Sequence, residues 1–470
     1  MEVITNNSTA TENEVVNCRD EDQSNTSAGE TSYADQKLDD AGALFVLTSE
    51  GSWLHCGYHL TTSIVAPALL SLPLALSLLG WAGGILALLV AAAVTFYSYV
   101  LLSLVLEHHA QVGRRLLRFR DMAHHVLGPG WGRYYIAPLQ FSLCFASVIA
   151  GTLLAGQSMK AIYLLEKPEG TMKLYEFVAI SGVITLILAQ FPSFHSLRHL
   201  NLISLMLCLT YSACATVGSI YIGHSSRAPQ RHYSVPGDGR DKLFGTFSAI
   251  SIIATTYGNG IIPEIQATIA PPVKGKMFKG LCLCYAVVVS TFFTVAISGY
   301  WAFGNQVQSN VLFNFTTNGH MLIPKWFITM TNAFTIVQIF AVTIVYLQPI
   351  HEALEGRFAD PKKNKYSARN VIPRIVFRSL VVATGTTIGA MLPFFGDMIA
   401  LVGAFGFLPL DFVVPAVMYS ITFRPSTKGF VFWTNTTIAT VFSVFTVLGC
   451  TAAVRQIALD AKAYKLFANV

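Results

Sequence analysis

Thr255–Glu264, written TTYGNGIIPE, sets two glycines, an asparagine, a proline and a carboxylate inside an otherwise apolar stretch. Leu243–Ile253 before it and Ile265–Ala270 after it read as two halves of one membrane helix. Each glycine lowers helix propensity by about 1 kcal/mol and an interior proline by about 3 kcal/mol, so the helix is expected to open here. Lipid cannot satisfy the amides and carbonyls this frees, so such a break must face protein or a cavity. The chemistry on offer is main-chain hydrogen bonding to a small guest, with an ionisable acid, Glu264, beside it.

A second interruption lies in HLTTSIVAPALLSLP, residues 59–73, where Pro67 and Pro73 stand six apart. Pro67 removes an amide and clashes with a carbonyl one turn back, which predicts a break near Ile64–Ala68. Two broken segments at corresponding places in two five-helix halves point to an inverted-repeat transporter and to its binding site. The plainer alternative is a pair of proline kinks in packed helices. With the N-terminus inside, the outer half of the first broken segment begins with free amides around Ala68–Leu70. The outer half of the second ends in free carbonyls around Ala254–Tyr257. A helix end acts as about half a charge, positive at the N-terminus and negative at the C-terminus. The gap therefore seats a carboxylate and an ammonium, and a zwitterion is its natural guest. No lysine or arginine stands in the helix centres to pair an anion, which leaves that task to the backbone.

The elements that must hold these breaks follow from composition. Of 470 residues 53% are hydrophobic and only 12% charged, with a mean hydropathy of +0.53. That places the chain in the all-α integral-membrane class. Eleven segments are long enough to cross a bilayer, near 53–79, 82–106, 134–158, 175–193, 200–222, 244–270, 281–303, 325–350, 374–393, 397–420 and 430–454. Seventeen lysines and arginines fall in the inner loops of an N-inside arrangement, against eleven in the outer loops and C-terminus. This bias favours a cytoplasmic N-terminus and, with eleven crossings, an extracellular C-terminus. The domain organisation expected is a tail over 1–50, a transmembrane domain over 51–455 and a short C-terminal tail over 456–470. Residues 1–50 hold eleven acids against Arg19 and Lys37, a composition that cannot bury a core and reads as disordered. No basic stretch followed by an apolar run marks a cleaved signal peptide. The net charge of +6 comes from loop residues and implies no nucleic-acid partner. The eight cysteines lie in apolar segments or in the tail, with no disulfide framework to read.

The remaining polar residues admit paired readings. Glu264 either accepts the proton that couples a gradient to gate movement, or pins the start of the inner half-helix to a neighbour. Asp411, between Pro409 and Pro415, either relays a proton or binds backbone amides freed beside those prolines. Asp397 is expected to be solvated at an outer helix end. His55 and His59 either titrate or pack, and His108, His109, His124 and His125 read as loop histidines in a basic inner loop, short of a zinc set. Asn332, Thr335 and Gln338 share one helical face and either line the cavity or bond between helices. Gln140, Ser147 and Gln157 present the same choice. Asn314-Phe-Thr316 is an N-glycosylation sequon on the outer face. No nucleotide loop, acylation elbow or metal-ligand set is present in the sequence, so no enzyme activity, cofactor or metal is expected.

A resemblance runs through the motifs HLTTSIVAPALLSLP, GWAGG, TFYSYVLLSL, LEHHA, RFRDMAHH, QFPSFHSLRHLN, ATTYGNGIIPEIQATI, PPVKGKMFKGL, TVAISGYWAFG, VYLQPI, RNVIPR, MLPFFGD, GAFGFLPLDF and AAVRQI. On these the chain, from Trp53 to Val470, resembles the amino acid/auxin permease family. The resemblance implies a secondary transporter of the inverted five-plus-five, LeuT-like fold, with broken helices one and six and a final eleventh helix. It implies import of small amino acids with protons across the plasma membrane, here γ-aminobutyrate (GABA) and related ω-amino acids, with the proton as the only coupling ion. Carried over by position, the family's binding region falls on Ser63, Ile64, Val65, Ala66 and Ala68, and on Thr255, Thr256, Tyr257, Gly258, Asn259 and Gly260. Ala66 and Ala68 stand where many relatives carry glycine, which narrows the pocket slightly. The competing expectations are a permease of this fold for proline, betaine, neutral amino acids or auxin, and an amino acid sensor without net transport.

Overall fold

The computed structural model describes residues 49, 51–190, 198–226, 228–317, 320–463 and 467. Of the stretch 1–50, expected to be disordered, only Ser49 lies among the described residues.

Helices lie over every apolar stretch. The first, α1, is Trp53–Ile64, with the Ser52 hydroxyl accepting from the His55 amide at its start. After Val65 and Ala66 the chain resumes as a 3₁₀ turn, Pro67–Ser71, and runs on into α2, Leu72–Gln111. Gly80, at φ 71° and ψ 175°, divides α2 into two rods, so the sequence-predicted boundary near 80 needs no loop. Residues 118–128, expected as plain loop, contain a further helix, α3, Phe119–Leu127. It forms because Phe119, Met122 and Ala123 recur at helical spacing and bury one face while His124 and His125 stay outside.

Next come α4, Ala137–Glu166, entered through a π-helical turn at Gly132–Ile136, then α5, Leu174–Leu188, and α6, Arg198–His224. Helix α7, Gly239–Tyr257, starts under the Asp238 carboxylate, which accepts from the amides of Arg240 and Asp241. Helix α8, Ile262–Ala267, carries Pro263 in its first turn, where a missing amide costs nothing. Then follow α9, Lys276–Phe303, α10, Lys325–Phe358, and α11, Ala368–Met391. Helix α12, Phe395–Val402, passes through a π-helical stretch at Gly403–Val413 into α13, Val414–Phe423. Helix α14, Phe430–Ala463, ends the bundle. A two-residue hairpin pairs Thr316 with Met321 and Thr317 with His320.

Among the described residues, eight helical runs are long and apolar enough to cross a membrane, Trp53–Gln111 with its two interruptions counting as one. The chain is thus an all-α, multi-pass membrane protein. Large apolar side chains such as Leu86, Val183, Ile187, Met206 and Val447 are exposed, as lipid-facing positions are. Inside, α4 packs on α10, α5 and α11, while α9 packs on α1, α2 and α6, and α7 packs on α2. The two breaks lie between these groups.

Candidate functional site

The first break opens at Val65, with ψ at 60°, and Ala66, extended at φ −86° and ψ 160°. It falls inside the predicted Ile64–Ala68. The Val65 carbonyl accepts from the Tyr211 hydroxyl at 3.2 Å and from Gln338 Nε2 at 3.4 Å. Gln338 Oε1 in turn accepts from Ser204 at 2.6 Å. Pro67 has no N–H, which leaves Ala68 as the first amide of the following turn. Ala66 and Ala68 are half-buried while Val65, Pro67 and Leu69 are buried.

The second break runs from Gly258 to Ile261. Gly260 takes φ +64°, a left-handed conformation that a side chain makes costly by about 1–2 kcal/mol. Three side chains from elsewhere hold the exposed backbone. Asp411 accepts from the Asn259 amide at 3.0 Å and the Gly260 amide at 3.1 Å. Gln140 donates to the Gly260 carbonyl at 3.0 Å, and the Tyr99 hydroxyl to the Tyr257 carbonyl at 3.0 Å. The Ala254 carbonyl accepts from the Gly258 amide at 2.8 Å. Two of the four carbonyls expected to be free, those of Ala254 and Tyr257, thus already have partners. The Asn259 side chain is buried, and neither of its polar atoms has a partner among the described residues.

Beside the first break lies a cavity with about 580 Å³ of atom-free space, its open mouth included. Ser63, Ala66, Pro67 and Ala68 line one side and Thr255 another. Helix α4 supplies Ser147, Ala150, Gly151 and Leu154, α10 supplies Ile339, Val342, Thr343 and Tyr346, and Phe395, Ile399, Val402 and Phe407 complete the wall. A Cβ on Gly151 would stand 2.3 Å from Thr343 Oγ1, so only glycine lets α4 and α10 come this close. The lining is mostly apolar with a few hydroxyls, as expected of a small-molecule site.

Of the residues read from the sequence as substrate-binding, Ser63, Ala66, Ala68 and Thr255 line this cavity. Ile64, Val65, Thr256, Tyr257, Gly258, Asn259 and Gly260 are buried behind it, in or next to the breaks. Among the cavity-lining candidates, Gln140 and Gln338 turn instead to the backbone of the two breaks, because those freed carbonyls need donors. Asn332 and Thr335 bond within their own helix, to the carbonyls of Ile328 and Thr331, and stand outside the lining. Asp411 does bind freed amides, but those of α7's broken end and not those beside its own prolines. Asn314 is only 6% exposed. Its side-chain oxygen accepts from the Gln308 amide and its side-chain nitrogen donates to the Gln306 carbonyl, each at 2.9 Å. The lining side chains missed in sequence, Thr343 and Tyr346, sit in an apolar helix with no local signal.

Glu264 is 2% exposed and sits in the first turn of α8. Its Oε1 accepts from the Phe119 amide and from Gln140 Nε2, each at 2.9 Å. Its Oε2 has no hydrogen-bond partner among the described residues. A buried carboxyl with one oxygen bonded twice and the other open can hold a proton at the open oxygen. Nearby, Glu352 pairs with Arg118 at 2.6 Å and Arg120 at 3.0 Å. Further along α10, Glu355 pairs with Arg374 at 2.5 Å and Arg378 at 3.0 Å. These pairs were invisible in the sequence, where Arg118, Arg120 and Arg374 looked like loop charges.

The sequence matches, over residues 49–459, the family model described as transmembrane amino acid transporter protein. It is 60% identical over 445 residues to GABA transporter 1 of Arabidopsis thaliana, covering 94% of this chain and 99% of that protein. To lysine histidine transporter-like 6 of the same organism it is 30% identical over 431 residues, covering 88% and 93% respectively. A solved structure of a Na+-coupled sialic acid symporter, substrate-bound and outward-open, overlaps 93% of this chain and 95% of that one, at 11% identity and a TM-score of 0.43.

Proposed function

The chain belongs to the transmembrane amino acid transporter family, and from that premise we propose that it imports GABA and related ω-amino acids together with protons, by alternating access. The observation that carries this reading is the cavity lined by the first break and by Thr255 just before the second, where Ala68 begins one helix and Thr255 stands near the end of another. The positive end at Ala68 suits the carboxylate of the guest. The carbonyls of Thr255 and Thr256, given no partner outside their helix among the described residues, suit its ammonium, and an apolar wall suits the methylene chain between them.

Eleven crossings belong to the same reading. The run Trp53–Gln111 then crosses twice, turning at Gly80, and α5 and the α7–α8 pair each add one crossing to the spans already counted. On this arrangement the N-terminus and the basic stretch 114–133 face the cytoplasm, and the C-terminus lies outside. The domain is a transmembrane carrier over 51–455 between an acidic tail and a short C-terminal segment, in the plasma membrane, with broken helices one and six related by an inverted repeat. Glu264, with its open Oε2, is the proton carrier, and Asp411 is the clasp of the second break.

Full-length protein in liposomes tests this. Labelled GABA should be concentrated when an inward proton gradient is imposed and should only equilibrate without one. Unlabelled GABA and other ω-amino acids should compete better than proline, betaine or lysine. Equal accumulation with and without the gradient removes proton coupling, and saturable binding without any uptake turns the protein into a sensor.

A further inference from the structure

Three consecutive residues, Arg118, Phe119 and Arg120, join the inner half of the broken helix to the neighbouring frame. The Phe119 amide donates to Glu264 on α8 at 2.9 Å. Arg118 and Arg120 reach Glu352 on α10 at 2.6 and 3.0 Å. Phe119 is the first residue of α3, so its N–H is one of those a helix leaves unpaired, and the positive helix end lies against the carboxylate. From the same connection Arg115 donates to the carbonyls of Ala267 and Ile269 at 3.2 and 2.6 Å. Gly51 adds a bridge of backbone bonds to Thr268 and Ala270, each at 2.8 Å. The inner half-helix is therefore held shut from one side by the α2–α3 connection.

We propose that the start of α3 is a latch on the cytoplasmic side of the carrier and that Glu264 is its proton-sensitive catch; this deepens the proton-coupled reading and rests on it. An ionised Glu264 accepts charge-assisted bonds from Phe119 and Gln140, about twice as strong as neutral ones, and the latch holds. A proton arriving from outside binds at the open Oε2, removes the charge and weakens both bonds. The first turn of α8 then moves off α3 about its far end, which Arg115 and Gly51 still hold, while Arg118 and Arg120 stay on Glu352. Release of that proton to the cytoplasm restores the carboxylate and closes the latch behind the departed substrate. The charged and titratable groups around Glu264 are Glu352 with its two arginines, Asp121 beside Arg118, Arg115, Cys144 on α4, and Asp411 beyond Gln140 and Gly260, while α1, which packs on α8, carries His59.

The test is downhill uptake of labelled GABA by full-length protein in liposomes, at pH 6 and at pH 8 on both sides, beside gradient-driven accumulation. For the native chain, uptake should be about tenfold slower at pH 8, where the latch stays shut. Phe119→Pro deletes only the N–H beyond what Phe119→Ala deletes, since proline fits the first helical position and Arg118 is already extended at φ −130° and ψ 152°. Phe119→Pro should raise the pH 8 rate to the pH 6 level and abolish accumulation, whereas Phe119→Ala should keep the pH step. Arg118→Glu should uncouple in the same way, and Arg118→Glu with Glu352→Arg should restore coupling. If Phe119→Pro does not fold, the charge swap decides. A faster downhill flux is a gain that general misfolding cannot produce. A pH step unchanged in both Phe119→Pro and Arg118→Glu overturns the latch. A native chain with neither pH step nor gradient-driven accumulation overturns the proton-coupled reading itself.

Discussion

Asp411 and Glu264 meet the same short piece of backbone from opposite sides, and their hydrogen bonds divide their work. Both Asp411 oxygens lie within 3.1 Å of the Gly260 amide, and one also takes the Asn259 amide, so its charge is spent on main chain. Glu264 leaves one oxygen open. Asp411→Asn keeps one acceptor but turns an NH2 group on an amide N–H, and loses charged bonds of about 1.5–3 kcal/mol. Thermal unfolding of the purified protein should show that loss, while the fraction that folds still concentrates GABA with the proton gradient. Glu264→Gln should show the opposite pattern, with unfolding nearly unchanged and accumulation gone. Both acids stood out in the sequence because a charge inside an apolar segment is rare. Which backbone each one serves was not readable, since Asp411 lies about 150 residues from the amides it clasps.

At the scale of elements, the two breaks were legible and their surroundings were not. Pro67, Gly258, Gly260 and Pro263 act on their own backbone, so local chemistry alone locates the openings. Helix α3 also had a local signal, Phe119, Met122, Ala123 and Val126 at helical spacing, but the charges and histidines between them made it read as loop. That Asn314 is buried was not legible either, because a three-residue pattern carries no information about burial. The ion pairs of Glu352 and Glu355 depend on helices meeting across the bundle, which no periodicity in one segment reports. The contact of α4 with α10 is of this kind too, and it sets one wall of the cavity. Gly151→Ala should push these helices apart at Thr343, costing about 1–3 kcal/mol by overpacking and raising the KM for GABA. Adding Thr343→Ala removes the hydroxyl in the way and should recover both stability and KM. A double variant no better than the single would place the defect elsewhere.

For the whole molecule, the quantity that distinguishes a proton-coupled carrier from a passive one is how far it concentrates its substrate. GABA is a zwitterion without net charge, so a cycle carrying one substrate and one proton moves one positive charge inward. At 100 mV, inside negative, that charge gains about 2.3 kcal/mol. Since about 1.4 kcal/mol is worth tenfold, the expected accumulation at equal pH is about fortyfold. An outside solution one pH unit more acidic adds about 1.36 kcal/mol, or roughly another tenfold. The signs are fixed by direction: acid outside raises accumulation, acid inside lowers it, and reversing the potential drives GABA out. Liposomes holding a potassium diffusion potential, with external pH varied separately, measure the two contributions independently. A slope of tenfold per pH unit identifies one proton per substrate and a hundredfold slope identifies two. An accumulation that follows the potential but ignores pH assigns the moving charge to some other cation, and Glu264 then loses its place as the group that carries it.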